Sequence, residues 1–153
     1  MKKYEFTGET KEIRLLFRTA TLHRIRATVA FGIVEVGDLG GWIEKEENLS
    51  HEGKAWVCGD AKVCGDAEVF SASHVLVIGA IGSRNDFTTF YRDKDNEITV
   101  KCGCFLGKID RFLEKVTQTH GDSKYALVYR AAVEVAKLQI DLSGEAPKDA
   151  DEE

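Results

Sequence analysis

Ala55-Trp-Val-Cys-Gly-Asp60, Ala61-Lys-Val-Cys-Gly-Asp66, Ala67-Glu-Val-Phe-Ser-Ala72, Ser73-His-Val-Leu-Val-Ile78 and Gly79-Ala-Ile-Gly-Ser-Arg84 follow one another without interruption in the middle of the chain. The period is six. Val57, Val63, Val69, Val75 and Ile81 form a column of β-branched residues, and Ala61, Ala67, Ser73 and Gly79 follow the first four of them at a fixed distance. A helix would need a spacing near 3.6, so the recurrence reads as strand. Three six-residue sides make one triangular coil of a left-handed β-helix, with the branched residue inside and the small one fitting beside it near the corner. A β-meander could share the spacing, but successive hits at the branched position favour the coil. Extending backwards adds Leu49-Ser-His-Glu-Gly-Lys54, which gives about two coils over 49–84. So short a stack buries little by itself, and its ends need caps or a second subunit.

The flanks supply candidate caps. Tyr4–Thr7, Glu12–Arg18, Leu22–Val29 and Ile33–Val36 read as strands separated by turn signals such as Gly8 and Gly32. In the third, His23, Ile25, Ala27 and Val29 form an apolar face, with Leu22, Arg24, Arg26 and Thr28 on the other. After the repeat, Phe87–Tyr91 and Ile98–Cys102 read as a hairpin across the turn-rich Asp93–Asn96. Helices follow near Lys108–Gln118, with Ile109, Phe112, Leu113 and Val116 on one face, and from Asp122 or Ser123 to about Leu138, with Tyr125, Val128, Tyr129, Ala132 and Ala136 on one face. The expected class is α+β, with a short left-handed β-helix of about two coils between caps. The divisions are a β cap at 1–48, the hexapeptide β-helix at 49–84, a ββαα module at 85–140 and an acidic tail at 141–153.

Several function classes are already disfavoured. The 153 residues carry a net charge of −5, and the excess lies in the tail, where six acids oppose Lys148. The rest of the chain is neutral, so nucleic-acid binding through a broad basic surface is not indicated. No apolar run reaches membrane-spanning length and no secretory leader is evident, which predicts a cytoplasmic protein with free thiols. Cys58, Cys64, Cys102 and Cys104 do not have the usual zinc spacing, although one site joining both pairs stays open. No cofactor or metal is expected.

Gly37-Asp-Leu-Gly-Gly-Trp-Ile-Glu-Lys-Glu-Glu-Asn-Leu-Ser50, together with Tyr4-Glu-Phe-Thr-Gly-Glu-Thr10, Leu22-His-Arg-Ile-Arg-Ala27 and the Ala-x-Val-x-Gly-Asp units, resembles a family of small hexapeptide-repeat proteins of phages and prophages. The resemblance covers residues 1 to about 82. It departs in length, since relatives often carry many more units and here the pattern decays after Val69. It implies the cytoplasm of an infected or lysogenic bacterium, and it delivers no biochemical activity.

Hexapeptide acyltransferases use longer coils and usually a histidine base; His74 would point out of the coil, so that reading is weak. Gly103-Cys-Phe-Leu-Gly107-Lys108 sits between a strand and a helix but is too short for a nucleotide-triphosphate loop, leaving only an anion site at the helix start beside Lys101, Lys108 and Arg111. No nucleophile elbow, His-Glu-x-x-His or carboxylate pair is present, so no catalytic residue is assigned. The remaining site lies where repeat meets module: Arg84 to grip a phosphate through two N–H donors, Asn85 to read a polar edge, Lys101 to add charge and His120 to reach the same ligand. The expectation is a non-catalytic binder of a small phosphorylated, nucleotide-like ligand that sequesters a host-defence signal. Alternatives are an inhibitor or scaffold for a host protein and an acyltransferase-like enzyme. A homo-oligomer, trimer or dimer, is expected from the exposed coil ends.

Overall fold

A computed structural model describes residues 2–143. The acidic tail expected at 141–153 falls outside the described residues from residue 144 onward. The described chain is α+β: two four-stranded sheets and two helices.

The first sheet begins with β1 (Tyr4–Arg14) and β2 (Thr19–Ala27), an antiparallel pair closed by a tight turn in which Leu15 N–H donates to the Arg18 carbonyl at 2.8 Å. The expected break at Gly8 is instead a register shift within β1, between Phe6 and Thr10, which lets one strand span the region. Leu22, expected on the polar face of β2, is fully buried with Leu15, Ala20, Trp42 and Cys64, while Ile25 and Ala27 are buried in other clusters. Each face of β2 thus carries apolar residues over part of its length. Ile33–Val36 is not a strand: Phe31 and Val34 exchange backbone hydrogen bonds around Gly32-Ile33, and Ile33 stands in solvent.

The chain then stacks on itself. β3 (Leu39–Ile43) pairs antiparallel with β2 on one side and parallel with β4 (Lys62–Val63) on the other, with Trp42 beside Lys62 and Ile43 beside Val63. One side further on, Leu49 lies parallel to Val69. Both offsets are 20 residues. Ile43, Leu49, Ala55, Val57, Ala61, Val63, Ala67 and Val69 all point into one core and are at most 2% exposed. Gly40 and Gly41 let the two turns approach: a methyl group on Gly40 would sit 2.7 Å from Ile25 Cγ1 and the Val57 carbonyl, and one on Gly41 2.7 Å from the Ala61 carbonyl. Asn48, fully buried, ties one turn to the next. Its Nδ2 donates to the Gly65 and Ala67 carbonyls at 3.0 and 3.2 Å, and its Oδ1 accepts from the Glu44 and Lys45 amides.

The repeat therefore stacks differently from the 18-residue expectation. Val57, Val63 and Val69 are inside, but the column starts at Ile43, its phase shifts by two residues between Ala55 and Val57, and Val63 lies beside Ile43, 20 residues back. Val75 and Ile81 leave the stack in β5 (Val75–Ile81), which pairs antiparallel with β6 (Asp86–Arg92). The Gly82–Asn85 turn brings these two segments together locally, a closure that costs less chain entropy than a pairing across 20 residues. His74, expected to face outwards, is buried: its Nδ1 accepts from the Phe70 and Ser71 amides at 3.0 and 3.2 Å and holds the turn before β5.

β7 (Ile98–Cys102) and β8 (Phe105–Lys108) complete the second sheet in the order β5-β6-β7-β8, all antiparallel. One face packs on α1 (Ile109–His120) and α2 (Lys124–Gln139) through Phe90, Ile98, Val100, Phe112, Val116, Tyr129 and Val133. α1 buries Ile109, Phe112 and Val116 as its spacing predicts. Of the expected α2 face, Tyr129, Ala132 and Ala136 are buried, joined by Ala126 and Val133, whereas Val128 is half-buried and Tyr125 is 41% exposed. The sheet also covers the lower end of the stack: Glu68 N–H donates to the Arg92 carbonyl and Lys94 N–H to that of Asp66, both at 2.9 Å, and Tyr91 Oη donates to the Cys64 carbonyl at 2.7 Å. With β1–β2 continuing the ladder above, both ends of the stack are covered by strands of the same chain.

Candidate functional site

Between the β5–β6 turn, the β7–β8 turn and the helices lies a cleft of about 190 Å³. Its apolar floor is Ile81, Phe105, Phe112, Val116 and Tyr129. Its polar rim has three sources. The β5–β6 hairpin brings Ser83, Arg84, Asp86 and Thr88; the β7–β8 turn brings Cys102, Gly103 and Cys104; and one flank of α1 brings Lys115, Thr119 and His120. Residues 112, 115, 116, 119 and 120 recur at helical spacing, which is why a single helix supplies both floor and rim.

Arg84 is exposed and lies over the β7–β8 turn, where a methyl group on Gly103 would come 3.0 Å from its Nη1. Lys115 is exposed on α1. Among the described residues neither cation makes a hydrogen bond or an ion pair, and Asp86 is the one carboxylate on the rim. The His120 ring stacks on Tyr129, with centroids 5.7 Å apart, and meets Tyr125 at 5.8 Å. Burial, then the neighbouring Cys102, pushes the Tyr129 phenol up, which keeps it protonated and a donor. Thr88 Oγ1 donates to Cys102 Sγ at 3.5 Å. The Tyr129 hydroxyl abuts Gly82 so closely that no Cβ fits there.

Of the four residues proposed from sequence, the structure brings Arg84 and His120 into this cleft and leaves two outside. Asn85 shapes the turn: it adopts φ +51° and donates its N–H to the Gly82 carbonyl at 3.2 Å. Lys101 is 5% exposed on the opposite face of β7, where its ammonium donates to the Gly103 carbonyl; burial, and then Lys62, lowers its pKa. Alternation along β7 decides this, since Val100 and Cys102 face the helices. Lys115 and Thr119 were missed, although their spacing from Phe112 and His120 was the signal.

The supposed anion loop is a hairpin. Cys102 pairs with Phe105 and Val100 with Gly107, so the glycines serve strand pairing and the helix begins only at Ile109. Lys108 is already engaged, 2.8 Å from Asp93, 2.9 Å from Asp95 and 3.4 Å from Glu97. All four cysteines are free thiols, and among the described residues no group of three or more His, Cys, Asp or Glu is placed to hold a metal ion. No helix among the described residues is long and apolar enough to cross a membrane.

A second cavity, about 260 Å³, lies beside the stack and is lined by Phe31, Val34, Trp56, Ala72, Val75 and Val77, with Lys54 its one charged residue. In comparison with known proteins, no family model matches the chain and no curated protein matches it.

Proposed function

We propose that the chain is a non-catalytic binder of a small, phosphorylated, nucleotide-like ligand, and that the cleft between the β5–β6 turn and α1 holds the ligand's phosphoryl end. One observation carries the reading: Arg84 and Lys115, two cations without an ionic partner among the described residues, line the same cleft. Arg84 grips two phosphate oxygens through its planar fork, and Lys115 supplies a point charge from the facing helix. His120 donates from the end of α1, and the ring or sugar of the ligand lies over Phe105 and Tyr129. A cleft of this size is below the usual range for a whole drug-sized ligand, so it takes one phosphate with one ring, and the rest of the ligand stays outside.

The setting comes from the resemblance of Gly37–Ser50 and the hexads to phage and prophage hexapeptide-repeat proteins. There, in the host cytoplasm, such a binder sequesters a host-defence signalling molecule. The parallel stack is read as the short left-handed β-helix of that family. Support comes from the buried β-branched residues on successive sides and the parallel pairs Ile43–Val63 and Leu49–Val69.

Calorimetry with inorganic phosphate, a nucleoside monophosphate, ADP-ribose and a cyclic dinucleotide tests the function. Saturable heat with at least one phosphorylated nucleotide, and chemically intact ligand after the protein is denatured, is the expected result. No heat with any of them removes the proposal, and a hydrolysed or acylated product replaces the binder with an enzyme.

A further inference from the structure

α1 and α2 pack on the same sheet, yet only one has a polar outer face. Outward positions of α1 are Asp110, Arg111, Glu114, Thr117 and Gln118, all exposed. On α2 the corresponding stripe is Leu127, Ala131, Val135 and Leu138, spaced i, i+4, i+8 and i+11, with Leu127 61%, Val135 47% and Leu138 88% exposed. A helix that is apolar on both faces is normally covered on both. Because the chain caps its own coil ends, the stack gives no reason for a second subunit. This stripe does.

We propose that α2 is a self-association surface, on which a second copy of this chain lays its own α2 antiparallel across a two-fold axis. The charges along one rim of the stripe identify the occupant. Glu134 and Lys137 stand on that rim with opposite signs, symmetric about the Val135–Ala136 step, so their order read backwards is its own complement. In an antiparallel two-fold pair equivalent rims meet in reverse order. Glu134 then faces Lys137 of the second copy, a contact that occurs twice. Val135 and Leu138 lie at the centre, and Ala131 lets the backbones approach. Within one chain this pair is only loosely engaged, Lys137 lying 3.8 Å from Glu134. A foreign acidic or basic helix would match one sign of this rim, not both. Four stripe residues per copy make a small contact compared with a standard interface, so the association is concentration-dependent.

Sedimentation equilibrium on the full chain, from about 1 to about 300 µM, is the test. The mass is expected to rise from 17.0 kDa towards twice that value. Leu138→Glu changes a residue 88% exposed and should leave the circular dichroism and melting unchanged while weakening association by about tenfold or more. Glu134→Lys should weaken it by roughly fivefold, and adding Lys137→Glu should restore it, because the swapped charges again face opposites. A single-chain mass over the whole range overturns the proposal and leaves the stripe to a foreign helix. A trimer mass, or a charge swap that does not restore association, overturns the antiparallel two-fold.

Discussion

Replacing Gly82 by alanine should damage the wall of the cleft. Gly82 opens the β5–β6 turn at φ +78°, and its missing side chain is where the Tyr129 hydroxyl sits. Two costs follow. A left-handed backbone costs an alanine about 1–2 kcal/mol. Forcing a methyl group into a filled contact costs about 1–3 kcal/mol more, because Tyr129, 6% exposed between Phe112 and His120, has little room to yield. The sum is about 2–5 kcal/mol, and a mid-range loss of about 3.5 kcal/mol lowers the melting temperature of a domain this size by roughly 7–14 °C. Calorimetric melting of Gly82→Ala in the native background and with Tyr129→Phe separates the two costs. Without the phenol oxygen the packing cost falls while the backbone cost stays, so the coupling between the substitutions should be about 1 kcal/mol or more. A loss below about 1 kcal/mol, or no coupling, would refute the reasoning that Tyr129 is held against this turn.

Other outcomes follow from buried polar groups. Asp93, 1% exposed, accepts from Thr99 Oγ1 at 2.6 Å, Lys108 Nζ at 2.8 Å and the Asp95 and Glu97 amides. Burial pushes its carboxyl up, but the hydrogen bonds from Lys108, Thr99 and the two amides together hold it below the ordinary aspartate value. Its contribution is therefore present above the unfolded pKa of about 4 and is lost as pH falls through the lower folded value. Acid unfolding curves should show that loss in the native chain and its absence in Asp93→Asn, which should itself cost about 2–3 kcal/mol at neutral pH by chemical denaturation. Asn48→Ala removes two hydrogen bonds between turns of the stack and two within its own turn, and should cost about 2–4 kcal/mol in the same assay. Val63→Asp puts a charge into a fully buried site and should abolish the cooperative melt.

The interior of the stack was legible because Val57, Val63 and Val69 repeat one side-chain type at one position, and burial selects for that. Its end was not legible. Val75 and Ile81 keep the β-branched position although the rest of the hexad has decayed, and the hairpin closure with Asp86–Arg92 sends them into another sheet. The 20-residue offset was hidden because the phase shift between Ala55 and Val57 costs no apolar residue: both are fully buried. In the cleft, Arg84 was legible from its place at the end of the repeat and His120 from its place at the end of α1. Lys101 was misassigned by sequence proximity, although the alternation of Ile98, Val100 and Cys102 with Thr99 and Lys101 already set it on the other face. The outer face of α2 escaped notice because apolar residues surround this helix: periodicity found the buried Tyr129, Ala132 and Ala136 but gave no sign that Leu127, Val135 and Leu138 stand outside.

The decisive measurement is an amide NMR titration of the full chain with a nucleoside monophosphate, repeated with Arg84→Ala and Lys115→Ala. Saturable shifts should be confined to Ser83–Asp86, Cys102–Cys104 and Lys115–Gly121. Each substitution should weaken binding by about 1.5–3 kcal/mol, and neither should move the melting temperature, since both side chains are exposed and unpaired. Shifts centred on Lys54, Trp56 and Val77 beside the stack, or affinity unchanged in both variants, would contradict the site.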